Sequence, residues 1–137
     1  MVRLVVAVAI VVLAAGVSAV VRRRRATDPP TQGAFELPVQ IDRNDFDRPE
    51  TPWLVAVFTS STCTSCADVV SKAAVLAAGD VAVVEISYQD RSDLHARYAV
   101  EAVPALVLAD AEGVVRAGFL GPMSATDLWA AVAAARE

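Results

Sequence analysis

The chain has 137 residues, enough for one compact domain plus an accessory segment. Its 55% apolar content is concentrated in one N-terminal block, while the part after Arg25 carries seven basic against all 16 acidic residues, a balance of −9. Such a surface repels phosphate backbones and argues against nucleic-acid binding, and two cysteines three positions apart are too few and too close for a secreted disulfide scaffold.

Leu4 to Val21 is an uncharged apolar run of 18 residues. As a helix it reaches roughly 27 Å, at the short end of what a bilayer requires. Arg3 precedes it and Arg22, Arg23, Arg24 and Arg25 follow it. A buried core helix is disfavoured because it would show polar faces. Val17-Ser18-Ala19 resembles a signal-peptide cleavage motif, but signal peptides carry their positive charge before the apolar run. Residues 1–25 are therefore expected to form an uncleaved single-pass anchor with a basic flank. The four arginines then place the C-terminal domain in the cytoplasm, with the extracytoplasmic side as the alternative. Residues 26–35, with two prolines and a glycine, read as a flexible tether.

From residue 36 onward the pattern is that of one domain. Leu37 to Ile41 is a candidate short strand, and Asn44 to Asp47 a brief helical turn. Trp53 to Thr59 is almost wholly apolar, as in a strand buried on both faces. A helix is expected from the cysteines to Ala78, with Gly79 as C-cap. Val81 to Ile86 is a second buried strand, and Ser92 to Tyr98 a helix capped by Ser92. Ala105 to Ala109 and Val114 to Phe119 flank the turn signal Asp110-Ala111-Glu112-Gly113. Ser124 to Asp127 resembles a capping box opening a last helix to about Arg136. Alternating strands and helices predict an α/β fold, a mixed central sheet flanked by helices.

Cys63 and Cys66 follow a buried strand and open a helix. Free N–H groups and the helix dipole favour thiolate there, and three-residue spacing lets one sulfur resolve a mixed disulfide made by the other. Cys63 is the expected nucleophile and Cys66 the resolving residue. The competing readings are two inert buried thiols, or half of a zinc site. The second is short of ligands, since His95 is the sole histidine.

At these residues the chain resembles the thioredoxin family, over about residues 36–137. The likeness rests on the CxxC after an apolar strand, then Tyr98 to Pro104, the hairpin around Gly113, and Gly121 before the last helix. It implies a thioredoxin-like fold and thiol–disulfide exchange without cofactor or metal. It also implies a cis Pro104 facing the cysteines, with Val103 offering backbone hydrogen bonds to an extended substrate. Thr62, Thr64 and Ser65 replace the family's Trp and Gly-Pro around the cysteines. With Val103 and Pro104 they are the candidate substrate-contacting residues, and the Thr64 and Ser65 hydroxyls are candidate donors to the Cys63 thiolate. The family's buried Asp aligns with Val57, its nearby Lys with Val83, and the threonine that often follows the proline is Ala105. Glu85 is a candidate replacement proton carrier, and Lys72 has no assigned role. His95 is expected on a solvated helix, and Trp53 and Trp129 in packing.

The expected partners are protein thiols and disulfides, the membrane through the N-terminal helix, and an electron donor or acceptor, a membrane-bound one included. The alternative from another class is a thioredoxin-fold binding or scaffold module without redox turnover.

Overall fold

The computed structural model describes Met1 and residues 36–137. Among the described residues no helix is long and apolar enough to cross a membrane. The expected span Leu4 to Val21, its arginine flank and the whole tether, residues 26–35, lie outside them.

A 3-10 turn at Arg43–Asp45 is followed by β1 (Trp53–Thr59), α1 (Cys66–Ala74), β2 (Val81–Ser87) and α2 (Tyr88–Arg97). Then come β3 (Ala105–Ala109), β4 (Val115–Leu120) and α3 (Ala125–Ala135). The sheet order is β2-β1-β3-β4, with β1 parallel to β2 and the other pairs antiparallel. The mixed α/β sheet is thus the expected one.

Helices cover both faces, which is why the central strands are apolar at nearly every position. Leu54, Ala56 and Phe58 of β1 join Ala82, Ile86 and Val107 on one face, under Leu94 of α2, Tyr98 just past it, and Ile41 and Phe46. Val55 and Val57 join Val81, Leu106 and Leu108 on the other, under Val69 and Ala73 of α1 and Leu128 and Val132 of α3. A register shift between Leu108 and Ala109 leaves Arg116 as the extra residue of β4. Alternation breaks there, so Val115 packs on the first face while Ala117 and Phe119 pack on the second.

Several expected boundaries move. Leu37 to Ile41 is not a strand but a single bridge between Gln40 and Val114, in a stretch where Pro38 has no N–H to donate. The first helix begins at Cys66 and ends at Ala74 with Val75 as cap, so Gly79 does not cap it. Ala78 and Val81 instead exchange backbone hydrogen bonds in the turn into β2. The second helix starts at Tyr88 behind Ser87 and is interrupted by non-helical backbone at Arg91, so Ser92 is not its cap. The Ser124 cap is as expected: its hydroxyl oxygen accepts from the Asp127 N–H at 3.1 Å.

His95 is not solvated. It is 3% exposed, with Nε2 2.9 Å from the Ile86 carbonyl and its ring edge-on to Phe58 and Tyr88. Trp53 packs against the second face as expected, but Trp129 is 43% exposed and donates to the Lys72 carbonyl. Lys72 ties α1 to the loop before α3, since its Nζ reaches Asp68 on its own helix and the Met123 carbonyl at 2.9 Å.

Candidate active site at the cysteine pair

The site sits where two strand ends meet. Phe58 pairs with Ala105, so the end of β1 lies beside the start of β3. The segment leaving β1 carries Cys63 and Cys66, and the segment entering β3 ends in Val103 and Pro104. Antiparallel register thereby places the two motifs at one end of the sheet. The Val103–Pro104 peptide is cis, and the Pro104 carbonyl accepts from the Gly121 N–H at 2.7 Å. Pro104 is buried and Val103 half-buried.

Cys63 and Cys66 are joined as a disulfide, with Cα atoms 5.5 Å apart. Their surroundings differ. Cys66 is the first residue of α1 and 4% exposed, whereas Cys63 precedes the helix in a turn and is half-exposed. The sequence expectation that both thiols open the helix holds only for Cys66. Cys63 is held ahead of it by its N–H, which donates to the Ser60 carbonyl at 3.1 Å. In that position the residue is partly exposed, unlike Cys66.

The expected hydroxyls separate. Ser65 Oγ is 3.8 Å from Cys63 Sγ, a long contact to a large polarisable atom. Ser65 occupies the N-cap position of α1 but makes no side-chain capping bond, so its hydroxyl is not committed to the helix backbone. Thr64 is exposed and its hydroxyl makes no contact with Cys63 among the hydrogen bonds of the described residues. Thr62 is exposed too, with Oγ1 3.2 Å from Ser60 Oγ.

Strand register corrects one alignment. Val57 is paired with Glu85 on β2, and Val83 stands opposite Val55. The β2 position beside the family's missing aspartate is therefore an acid, Glu85, and not Val83. Val57 itself is 1% exposed within the second core face. The Glu85 side chain is exposed, and its Oε1 accepts from Thr59 Oγ1 at 2.8 Å, while Thr59 is 2% exposed at the end of β1. Ala105 is fully buried in β3.

Gln89 is a contributor that sequence reading did not single out. Its side chain reaches from the start of α2 to the turn before Cys63, accepting from the Ser61 N–H at 3.0 Å and donating to Ser60 Oγ at 3.2 Å. The partners lie 28 and 29 residues away, so no local pattern announces them.

No family model matches the chain, and no curated protein matches it. Solved structures do. A mutant thioredoxin from Halobacterium salinarum NRC-1 is similar at TM-score 0.61 and 25% identity, over 78% of this chain and 96% of that one. The germline-specific thioredoxin Deadhead from Drosophila melanogaster is similar at TM-score 0.57 and 21% identity, over 66% and 88%. A malarial protein is similar at TM-score 0.55 and 15% identity, over 61% and 97%. With the sheet order, the cis proline and the close cysteine pair at one end of the sheet, these likenesses make the chain thioredoxin-like.

Proposed function

We propose that the chain is a thiol–disulfide oxidoreductase working through Cys63 and Cys66, held at a membrane by residues 4–21. The observation that carries the chemistry is the unequal exposure of two disulfide-bonded cysteines beside a helix start: Cys63 partly exposed, Cys66 4% exposed. In the reduced protein the Cys63 thiolate attacks a substrate disulfide, forming a mixed disulfide and releasing one substrate thiolate. Cys66 then loses its proton and attacks Cys63 Sγ. That step expels the second substrate thiolate and leaves the Cys63–Cys66 disulfide. Two electrons pass from the dithiol to the substrate, and the reverse sequence oxidises a substrate dithiol.

On this reading an extended substrate segment lies along Val103 and Pro104, with Thr62, Thr64 and Ser65 lining the approach to Cys63. The substrates are protein thiols and disulfides near the membrane, and a separate donor or acceptor resets the pair. Charge balance supports a cytoplasmic domain, because Arg22 to Arg25 outweigh Arg3. Residues 26–35 serve as the tether.

Insulin-disulfide reduction in dithiothreitol, comparing the full chain with its Cys63→Ser variant, tests the chemistry. The expected result is thiol-dependent precipitation that the variant does not accelerate. Equal rates would overturn the oxidoreductase reading. Cys66→Ser should accumulate mixed disulfides on Cys63, whose identity names the substrates. A C-terminal epitope labelled from outside intact cells would reverse the proposed orientation.

A further inference from the structure

We infer that Gln89 is the positioning residue for the nucleophile: its side-chain amide fixes the Ser60–Thr62 turn that presents Cys63. The inference rests on the oxidoreductase reading for its consequence and on the contacts around the turn for its geometry.

The Ser61 N–H is taken up by Gln89 Oε1 at 3.0 Å. Gln89 Nε2 donates to Ser60 Oγ at 3.2 Å. That same oxygen lies 3.4 Å from the Thr62 N–H and 3.2 Å from Thr62 Oγ1. Ser60 in turn receives the Cys63 N–H on its carbonyl at 3.1 Å. The restraint on Cys63 thus passes through Ser60, and Ser60 is tied to the rest of the domain by Gln89. The anchor is firm at its other end: Ser87 Oγ donates to Gln89 Oε1 at 3.2 Å, and Ser87 is paired with Thr59 in the β1–β2 ladder.

An amide suits the arrangement: toward Ser61 it accepts, and toward Ser60 Oγ it donates. A carboxylate keeps the first bond, keeps the second only if the Ser60 hydroxyl turns to donate, and adds a negative charge beside the turn that carries the nucleophile. An alanine supplies neither. Freed of the amide, the turn lets Cys63 spend time away from the N-terminal N–H groups of α1. Its thiolate is then less well placed in the favourable field of that helix end, and its reactivity near neutral pH falls. Gln89 touches neither sulfur nor substrate; it acts through the turn.

The test reads Cys63 directly in the reduced full chain. Iodoacetamide alkylation of Cys63 is followed by peptide mass spectrometry from about pH 5 to 10, a range that brackets an ordinary thiol midpoint, for wild type, Gln89→Ala and Gln89→Glu. At pH 7 the alanine variant is expected to react about threefold more slowly, from the loss of a helix-terminus interaction. The glutamate variant should be slower still. All three rates should converge above the thiol midpoint, where every form is ionised. Coincident wild-type and alanine profiles would overturn the inference, and so would a fall of equal size at every pH, which reports lost access or folding. Because the profile needs no turnover, it is read whether or not wild type reduces insulin, so the two readings fail separately.

Discussion

Removing the Asp110 carboxylate should destabilise the domain by several kcal/mol. Asp110 follows β3 directly and is 6% exposed. Its Oδ1 accepts from the Glu112 N–H at 3.1 Å and the Val114 N–H at 2.9 Å. Its Oδ2 faces Arg116 at 2.7 Å from Nε and 2.6 Å from Nη2. Two backbone donors to a charged acceptor contribute about 1.5 kcal/mol each. The ion pair adds about 0.5 kcal/mol, discounted because the Arg116 side chain is 54% exposed. Asp110→Ala should then cost about 3.5 kcal/mol, and Arg116→Ala well under about 1 kcal/mol. For a domain of this size the former lowers Tm by on the order of 14 °C. Asp110→Asn keeps an acceptor and loses the charge, so its cost should fall between the two. Burial pushes the Asp110 carboxyl up, but Arg116 and the Val114 and Glu112 N–H groups outweigh it and hold the pKa below its ordinary 3.8. The unfolded chain therefore takes up the proton first. The carboxylate's contribution is complete well above pH 3.8 and is lost as pH falls through the lower folded value. Thermal unfolding by circular dichroism, from about pH 7 in steps to about pH 3, should show the gap between wild type and Asp110→Asn closing on acidification. A gap that keeps its full size at the acid end, or an alanine variant costing under about 1 kcal/mol, would refute the assignment of this turn's stability to the carboxylate.

Gly113 in the same turn has φ +80°, and a Cβ added there would meet the Ile41 carbonyl at 2.0 Å; Gly113→Ala should cost more than about 2 kcal/mol in denaturant unfolding. His95→Ala removes two edge-on aromatic contacts and the partner of the Ile86 carbonyl, so chemical denaturation should show a loss of about 3 kcal/mol. Ala99, just past α2, has φ 52°, where glycine carries no Cβ penalty; Ala99→Gly should raise Tm, with a gain of about 0.5 kcal/mol.

The fold was legible where burial is two-sided. Trp53–Thr59 and Ala105–Ala109 form strands with the expected ends, because runs covered on both faces leave few polar positions to blur the limits. Where one element's end depends on another's, the chain alone misled. Gly79 looked like a helix cap, yet α1 has already ended at Ala74, and Gly79 lies in the turn that returns the chain to β2. His95 lies in a segment rich in charged residues, and only the packing of α2 on the sheet turns its ring between Phe58 and Tyr88. The cysteine pair and the cis proline were visible as motifs. Gln89 was not, because its role exists only once β1 and β2 are side by side.

Register also changes the comparison with the thioredoxin pattern at the second cysteine. An alignment by position sets a valine, Val83, at the lysine site, leaving no charged group near Val57. Pairing sets Glu85 there instead, with its carboxylate outside the core and bonded to Thr59. The β1 residue is apolar and buried, and the acid beside it stands on the edge strand. Cys63 and Cys66 are consequently unlike in what surrounds them. The turn before Cys63 is polar, largely exposed and held by Gln89 and Ser60, while Cys66 is buried at the helix start. Among the described residues no side-chain hydrogen bond reaches Cys66 Sγ. In the exchange proposed above, the attack by Cys63 draws on a presented sulfur. The closing attack by Cys66 requires a buried thiol to give up its proton without a carboxyl group at position 57. The two half-steps therefore differ in kind: the first depends on how well a turn is held, the second on how a proton leaves the interior.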